Sequence, residues 1–315
     1  MMPSEQQSPR IVFMGTPDFA VPALEAVHRE FGVVAVVTVP DKPQGRGLQL
    51  RASAVKEAAI SLGITTILQP VSLKDPDFVR QLGELRPDIL CVIAFRILPE
   101  AVYSLASVGA FNVHASLLPR YRGAAPINHA IINGDAETGV TSFLLNRVVD
   151  TGSILLQHHW PIADGTTAGE LYEQLMPLAA HCAVETCSGL LSGSLHGTVQ
   201  DDHHATAAPK VFRETSRVNW TWPASVVRQW ILGHAPQPGA WTMWNGEPLK
   251  ILRASVVPTT TMNAPATYTL SGTEFLVQCG QGTLRIDELQ LPGKKRTSAA
   301  DFLRGYRGAD HGSFE

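Results

Sequence analysis

The chain has 315 residues, 44% apolar and 17% charged, with a net charge of −3. That much apolar material excludes a disordered chain, and the length is about twice a domain of roughly 150 residues, so two domains are expected. The longest mostly apolar runs, 33–39 and 89–95, have seven residues against the roughly 20 that span a bilayer, so no membrane segment is expected.

The charge is unevenly spread. Residues 1–205 hold 13 basic and 20 acidic side chains, whereas 206–315 hold 12 and 8. A mildly basic C-terminal part can meet a polyanion, although ordinary domains differ by as much. The four cysteines, Cys91, Cys182, Cys187 and Cys279, form no CxxC pair. They read as small buried side chains in a reducing cytoplasm and give no support for zinc.

In chain order, the polar residues 1–9 read as a disordered tail without the apolar stretch of a signal peptide. Residues 10–14 form a buried strand, Gly15-Thr-Pro-Asp18 a turn, and 19–29 a helix. Strands at 33–39, 65–68, 89–95 and 110–113 alternate with helices at 53–62 and 75–85. Such alternation implies parallel crossovers and a doubly wound sheet, and nearly all-apolar strands fit a sheet covered on both faces. Runs 140–145 and 154–160 flank Asp150-Thr-Gly152 as an extended segment, a loop and an antiparallel return, and 167–191 is the longest helix. Residues 193–209 lack periodicity and read as a polar linker. Beyond it come a short helix at 223–232 and short strands at 240–244, 249–254, 275–277 and 283–288. Ser298-Ala-Ala-Asp301 then opens a helix over 299–306 in the manner of a capping box. Short strands at these intervals suggest a small barrel. Boundaries are expected at 10–192, 193–209 and 210–315.

No GxGxxG follows the first strand, no phosphate loop ends in Gly-Lys-Ser/Thr, and no GxSxG elbow occurs. A dinucleotide site is disfavoured accordingly. Asn112-Val-His114 is the strongest local feature. Positions i and i+2 of a strand face the same way. An amide and an imidazole would then project together near the C-terminal sheet edge, as an oxyanion donor and a proton-transfer group. Two polar residues capping a strand end are the plainer alternative. Ser116-Leu-Leu-Pro-Arg-Tyr-Arg-Gly-Ala-Ala-Pro126 is a rigid cationic loop. It suits a flat ligand and an anion as well as a simple strand-to-helix connection. Asp150 beside His114 would fix the imidazole tautomer and raise its basicity, and an Asx-turn residue before Gly152 is the plainer local reading. Asp41–Gly47 with Arg51 reads as a flexible basic loop, and His203-His204 as solvated linker. The tryptophans at 220, 222, 230, 241 and 244 read as core of the small domain, with base stacking as the rival.

Together, Asn112-Val-His114, Ser116-Leu-Leu-Pro119, Arg120-Tyr-Arg-Gly-Ala-Ala-Pro126 and Asp150-Thr-Gly152 resemble the folate-dependent formyltransferase family. Phe13-Met-Gly-Thr-Pro-Asp-Phe19, Lys42-Pro-Gln-Gly-Arg-Gly47, Gln69-Pro-Val-Ser-Leu73, Pro238-Gly-Ala-Trp241 and Gly293-Lys-Lys295 extend the resemblance over roughly residues 10–305. It implies a Rossmann-like formyltransferase fold of α/β class followed by an OB-like barrel. The implied activity moves the formyl group of 10-formyltetrahydrofolate to the α-amine of methionine on initiator tRNA, without a metal. Asn112, His114 and Asp150 are the implied catalytic set. Folate is implied beside Ser116, Leu117, Leu118, Pro119, Ile93 and Ala94. The tRNA is implied to meet Lys42, Arg46, Lys210, Lys294 and Lys295. A cytoplasmic monomer is expected. One departure lies at Ala94-Phe-Arg-Ile-Leu-Pro99, where the family often has Ala-Tyr-Gly and one more residue. Arg96 there is expected to meet the folate tail or the tRNA, or to turn into solvent. Rival readings keep the same residues: a formyltetrahydrofolate hydrolase, a nucleotide-sugar formyltransferase, or a noncatalytic tRNA-binding protein.

Overall fold

The computed structural model describes residues 8–44, 49–258 and 263–315, so of the expected tail only Ser8 and Pro9 fall within it. The chain starts with β1 (Ile11–Gly15), α1 (Val21–Phe31), β2 (Val33–Val37), β3 (Lys42–Gln44) and β4 (Gln49–Arg51). Next come α2 (Ala54–Ser61), β5 (Ile67–Leu68), α3 (Pro76–Glu84), β6 (Ile89–Ile93), α4 (Glu100–Tyr103) and β7 (Gly109–His114). Then follow α5 (Pro126–Ile132), β8 (Glu137–Leu144), β9 (Ile154–Pro161) and α6 (Ala168–Leu191). Two compact units result, one running to residue 123 and adding 139–160 and 173–207, the other made of 124–138, 161–172 and 208–315.

The first unit is built on a sheet of order β5-β2-β1-β6-β7-β8-β9. Strands β5, β2, β1, β6 and β7 are parallel, and β8 runs against β7. The chain winds outward from β1 through β2 and β5, then resumes on the other side with β6 and β7. This reversal brings the C-terminal ends of β1 and β6 together, the place where open α/β sheets bind ligands. Both sheet faces are covered, as the all-apolar strands predict: every residue of β1 and β6 is buried. On one face Val12, Met14, Val37, Leu90 and Val92 pack with Phe78, Leu82 and Val102. Helix starts follow side-chain chemistry. Ser53 caps α2, Asp75 caps α3 with Pro76 in the first turn, and Thr167 and Glu170 exchange capping-box bonds at the start of α6.

Two expectations are corrected in this unit. The described ends of the segment read as a flexible basic loop, 42–44 and 49–51, pair as two antiparallel strands, with Lys42 of β3 opposite Arg51 of β4. The foot of this pair is tied by Lys56, whose Nζ meets Asp41 Oδ2 at 2.7 Å and Gln69 Oε1 at 2.8 Å. Hydrogen bonds from Lys56 and Gln69 hold the Asp41 carboxyl below its ordinary value. Arg46 lies outside the described residues. Residues 198–207 of the segment read as a linker are bonded into the first unit, through bridges Ile154↔Thr198 and Arg122↔Ala207 and a buried Gln200. His203 and His204 are exposed, as read.

The second unit continues with α7 (Ala224–His234), β10 (Ala240–Trp244), β11 (Glu247–Val257), β12 (Thr267–Ser271), β13 (Glu274–Gln278), β14 (Thr283–Gln290), β15 (Thr297–Ser298), α8 (Ala299–Gly305) and β16 (His311–Ser313). Its antiparallel sheet has the order β10-β11-β14-β13-β12-β16, with β15 on β14. The sheet curls into a half-barrel, and the Glu315 amide donates to the Met243 carbonyl of β10 at 3.2 Å, linking the chain end to the far edge. Trp220 and Trp244 are buried in the core with Ile231, Leu249, Phe275 and Ile286, the structural role expected of them. Trp241 is partly exposed, with the Arg217 guanidinium 5.6 Å from its ring. Ser298 caps α8 by accepting from the Asp301 amide at 3.0 Å. All four cysteines are free and buried. Burial pushes the Cys182 thiol up to about 11 and Cys279 to about 12, which suppresses the reactive thiolate.

Candidate active site

Strand β7 carries Asn112 and His114 two positions apart, hence on one face, next to the end of β6. Past its end the chain turns back, so that the imidazole is caught by the backbone at Tyr121. His114 Nε2 lies 2.8 Å from the Tyr121 carbonyl oxygen. A carbonyl only accepts, so the hydrogen sits on Nε2 and the neutral ring keeps its lone pair on Nδ1. That free nitrogen faces Asp150 Oδ2 at 3.9 Å. The sequence reading gave the choice of tautomer to Asp150; the structure gives it to Tyr121. The carboxylate is instead placed where a proton arriving on Nδ1 is stabilised.

The turn that supplies the carbonyl is held in an uncommon shape. Tyr121 has φ 63°, a left-handed value rare outside glycine and typical of functional turns. Its amide donates to Thr206 Oγ1 at 2.8 Å, and the Arg122 amide to the Thr206 carbonyl at 2.8 Å. Ser116 Oγ closes the same turn on the Arg120 carbonyl at 2.7 Å.

Asp150 is held at both its carboxylate and its carbonyl and is buried like His114, at 9% and 8% exposure. Its Oδ2 accepts from the Gly123 amide at 2.8 Å. It too has a left-handed backbone, φ 57°. The Gln200 amide group donates to the carbonyls of Asp150 at 2.9 Å and Gly152 at 2.8 Å. Gln200 Oε1 accepts in turn from Arg122 Nε at 3.1 Å and Nη2 at 2.7 Å, and Nη2 also reaches Asp202. Gly152 tolerates no side chain, because a Cβ there would collide with the Leu144 carbonyl. An Asx arrangement does occur here, but at Asn146, whose Oδ1 accepts from the Val148 amide at 3.1 Å.

Of the remaining expected positions, Ile93 is fully buried at the end of β6, and Ala94 just beyond it is exposed with φ 48°. Leu117 and Pro119 are half-buried and Leu118 is buried. The Leu118 amide donates to Thr141 Oγ1 at 3.0 Å, and its carbonyl accepts from Gln157 at 2.9 Å. Ser116 and Leu118 thus spend their side chains inside the protein, and Ala94, Leu117 and Pro119 are the accessible members. The Asn112 carboxamide is half-buried and has no hydrogen-bond partner among the described residues. Lys42, Lys210, Lys294 and Lys295 are all exposed.

Arg96 does not turn into solvent, as one of the three expectations had it. Its guanidinium donates to the carbonyls of Pro70 and Val71, both at 2.9 Å, and lies 5.2 Å from the Phe95 ring. Burial lowers its pKa from the ordinary value. The missing glycine is therefore replaced by an internal strut between the end of β6 and the 69–73 segment.

The sequence reading missed the Tyr121 carbonyl, Gln200 and the Gln200 partner role of Arg122. A backbone group leaves no residue signal, and Gln200 stood in a stretch without periodicity. Chemically, the assembly offers a base at Nδ1, a carboxylate to stabilise its protonated form and an uncommitted amide donor. Those three parts suit proton transfer coupled to addition at a carbonyl carbon.

Known proteins match both units. The formyl transferase family model covers residues 9–186, and the model of the formyl transferase C-terminal domain covers 210–307. A methionyl-tRNA formyltransferase of Parabacteroides distasonis is 44% identical over 312 residues, spanning 95% of this chain and 96% of its own length. One from Chlorobium phaeovibrioides is 43% identical over 305 residues, spanning 95% of each. Among solved structures, the sugar 3N-formyl transferase WlaRD superposes with a TM-score of 0.68 at 18% identity, over 92% of this chain and all of that one, a likeness of fold. With both halves matched in order and identity above 40% along nearly the whole length, this chain belongs to the formyl transferase family.

Proposed function

We propose that the protein transfers the formyl group of 10-formyltetrahydrofolate to the α-amine of methionine carried by initiator tRNA, yielding formylmethionyl-tRNA for translation initiation. The observation that carries this reading is the full-length identity of 44% to a protein named methionyl-tRNA formyltransferase, which includes the C-terminal unit. A folate donor is also consistent with WlaRD, which was solved in the presence of 5-N-formyl-THF.

The amine attacks the formyl carbon, and a tetrahedral oxyanion forms. Asn112 donates to that oxygen, its carboxamide having no competing partner among the described residues. His114 Nδ1 takes the amine proton, since Nε2 is committed to Tyr121. Asp150, 3.9 Å away, stabilises the resulting imidazolium. The bond between the formyl carbon and N10 then breaks, and the proton passes from Nδ1 to N10 of the departing tetrahydrofolate. Folate lies against Ala94, Leu117 and Pro119 and the backbone at Ile93, Ser116 and Leu118. Lys42 and Arg46 meet the acceptor end of the tRNA, and Lys210, Lys294 and Lys295 its phosphates.

The test offers three acceptors with 10-formyltetrahydrofolate: methionyl-initiator tRNA, an amino-sugar nucleotide and water alone. Formylmethionyl-tRNA as the main product supports the reading. Formylated sugar, or free tetrahydrofolate and formate, assigns the site to one of the rival reactions. Bound tRNA that is never formylated makes the protein a binding module.

A further inference from the structure

A second cluster of titratable groups lies in the first unit, in no part of the chemistry above. His158 projects from β9, and His181 and Glu185 stand one turn apart on α6. Residues four apart on a helix share a face, so two elements distant in sequence deliver three donors to one spot.

We propose that His158, His181 and Glu185 bind one divalent metal ion of the zinc class, which fastens the edge strand β9 to α6. The donor atoms of all three lie within 4.8 Å of one another. Glu185 Oε2 is 2.7 Å from His158 Nε2, and its Oε1 is 3.4 Å from His181 Nε2. An ion holding nitrogen and oxygen at about 2.0–2.1 Å in a tetrahedron needs donors roughly 3.3 Å apart. These two spacings, each to a different oxygen of Glu185, lie on either side of that value, so a small rotation of the carboxylate would bring one oxygen within range of both imidazoles. The imidazole rings approach to 5.2 Å between centroids and tilt by 56°, converging without stacking.

The His158 nitrogen is the most telling atom. Nε2 is buried and has no aligned hydrogen-bond partner among the described residues, although a carboxylate oxygen is only 2.7 Å away. A buried polar atom without a partner calls for a physical account, and an ion seated between nitrogen and oxygen gives one. Two imidazoles and one carboxylate suit zinc, cobalt or nickel, whereas magnesium and calcium prefer all-oxygen sets. His181 and Glu185 are exposed on the outer side, which leaves an entry path and room for water as the fourth ligand.

The experiment uses untagged full-length protein, freed of metal by chelation, then titrated with Zn2+ and separately with Co2+. Native protein is expected to bind one equivalent, to give tetrahedral-type visible bands with Co2+, and to unfold at a higher temperature when loaded. His158→Ala and the shape-preserving Glu185→Gln are each expected to weaken binding at least about tenfold and to abolish the thermal shift. A control variant with His203 and His204 both changed to Ala keeps native binding. Native affinity weaker than ~0.1 mM, unchanged affinity in Glu185→Gln, or loss of binding in the control would each overturn the site. Binding is read independently of formyl transfer, so the outcome does not depend on the proposed reaction.

Discussion

Gln200 is where local structure and catalysis meet most directly. Changing it to Met keeps the length and removes both the donor and the acceptor of its single carboxamide. The carbonyls of Asp150 and Gly152 then lose their donors, and Arg122 loses the acceptor of two bonds. A buried polar group left unsatisfied costs about 1–3 kcal/mol. Two carbonyls, with partial relief by water, cost about 2–4 kcal/mol on that scale. The turn can escape part of this by shifting toward solvent, and Asp150 would move with it. A displacement of 1 Å at a catalytic group costs on the order of 10²-fold in rate. Gln200→Met is therefore expected to lower the urea midpoint of the first unit and to reduce kcat about 10- to 100-fold, with little change in KM for the formyl donor. Urea unfolding and initial rates at saturating substrate provide both numbers. A variant destabilised as expected but active within twofold of native would refute the coupling between Gln200 and Asp150. So would a rate loss that merely equals the unfolded fraction.

Further outcomes follow from individual side chains. Asn112→Ala should cost about 10²–10³ in kcat and under ~0.5 kcal/mol in stability, because the carboxamide has no partner to lose among the described residues; steady-state kinetics with thermal unfolding check both. Trp244, packed against Tyr268, Phe275, Phe302 and Tyr306 with no partner for its Nε1 among the described residues, should cost about 3–5 kcal/mol when changed to Ala and under about 1.5 kcal/mol when changed to Phe, as measured by denaturant unfolding of the second unit. Burial lowers the His234 pKa, against the raising effect of its bond to the Trp230 carbonyl. Its unfolded form then takes up a proton first as pH falls below about 6.5, so stability present at pH 7.5 declines between that value and the lower folded pKa. The contribution is up to about 1.4 kcal/mol per pH unit, and His234→Asn should flatten the slope of unfolding free energy against pH.

Much of this was legible because burial writes itself into composition. The all-apolar β1 and β6 implied a sheet covered on both faces, and the i, i+2 spacing of Asn112 and His114 implied a shared face. Other features lacked such a signature. Helix α5 begins at Pro126, a favoured first-turn proline, but its seven residues give too short a period to register. The alternation of Tyr268 and Leu270 in β12 is likewise brief, and its pairing with β13 and β16 decides it. The short strands 42–44 and 49–51 show no alternation in sequence, and their pairing with each other decides them. The Tyr121 carbonyl was beyond reach on principle, because any residue supplies one. His181 and Glu185 did carry a helical i, i+4 signal; what was missing was the partner on a distant strand.

The central claim is that His114, held by Tyr121 and faced by Asp150, moves the proton in formyl transfer to methionyl-initiator tRNA. Single-turnover transfer from 10-formyltetrahydrofolate, native protein against His114→Ala, tests it most directly. The account predicts formylmethionyl-tRNA from the native protein and a rate about 10²–10⁴ lower in the variant, with tRNA binding retained. Transfer by the variant at near-native rate, or none by the native protein, would contradict it.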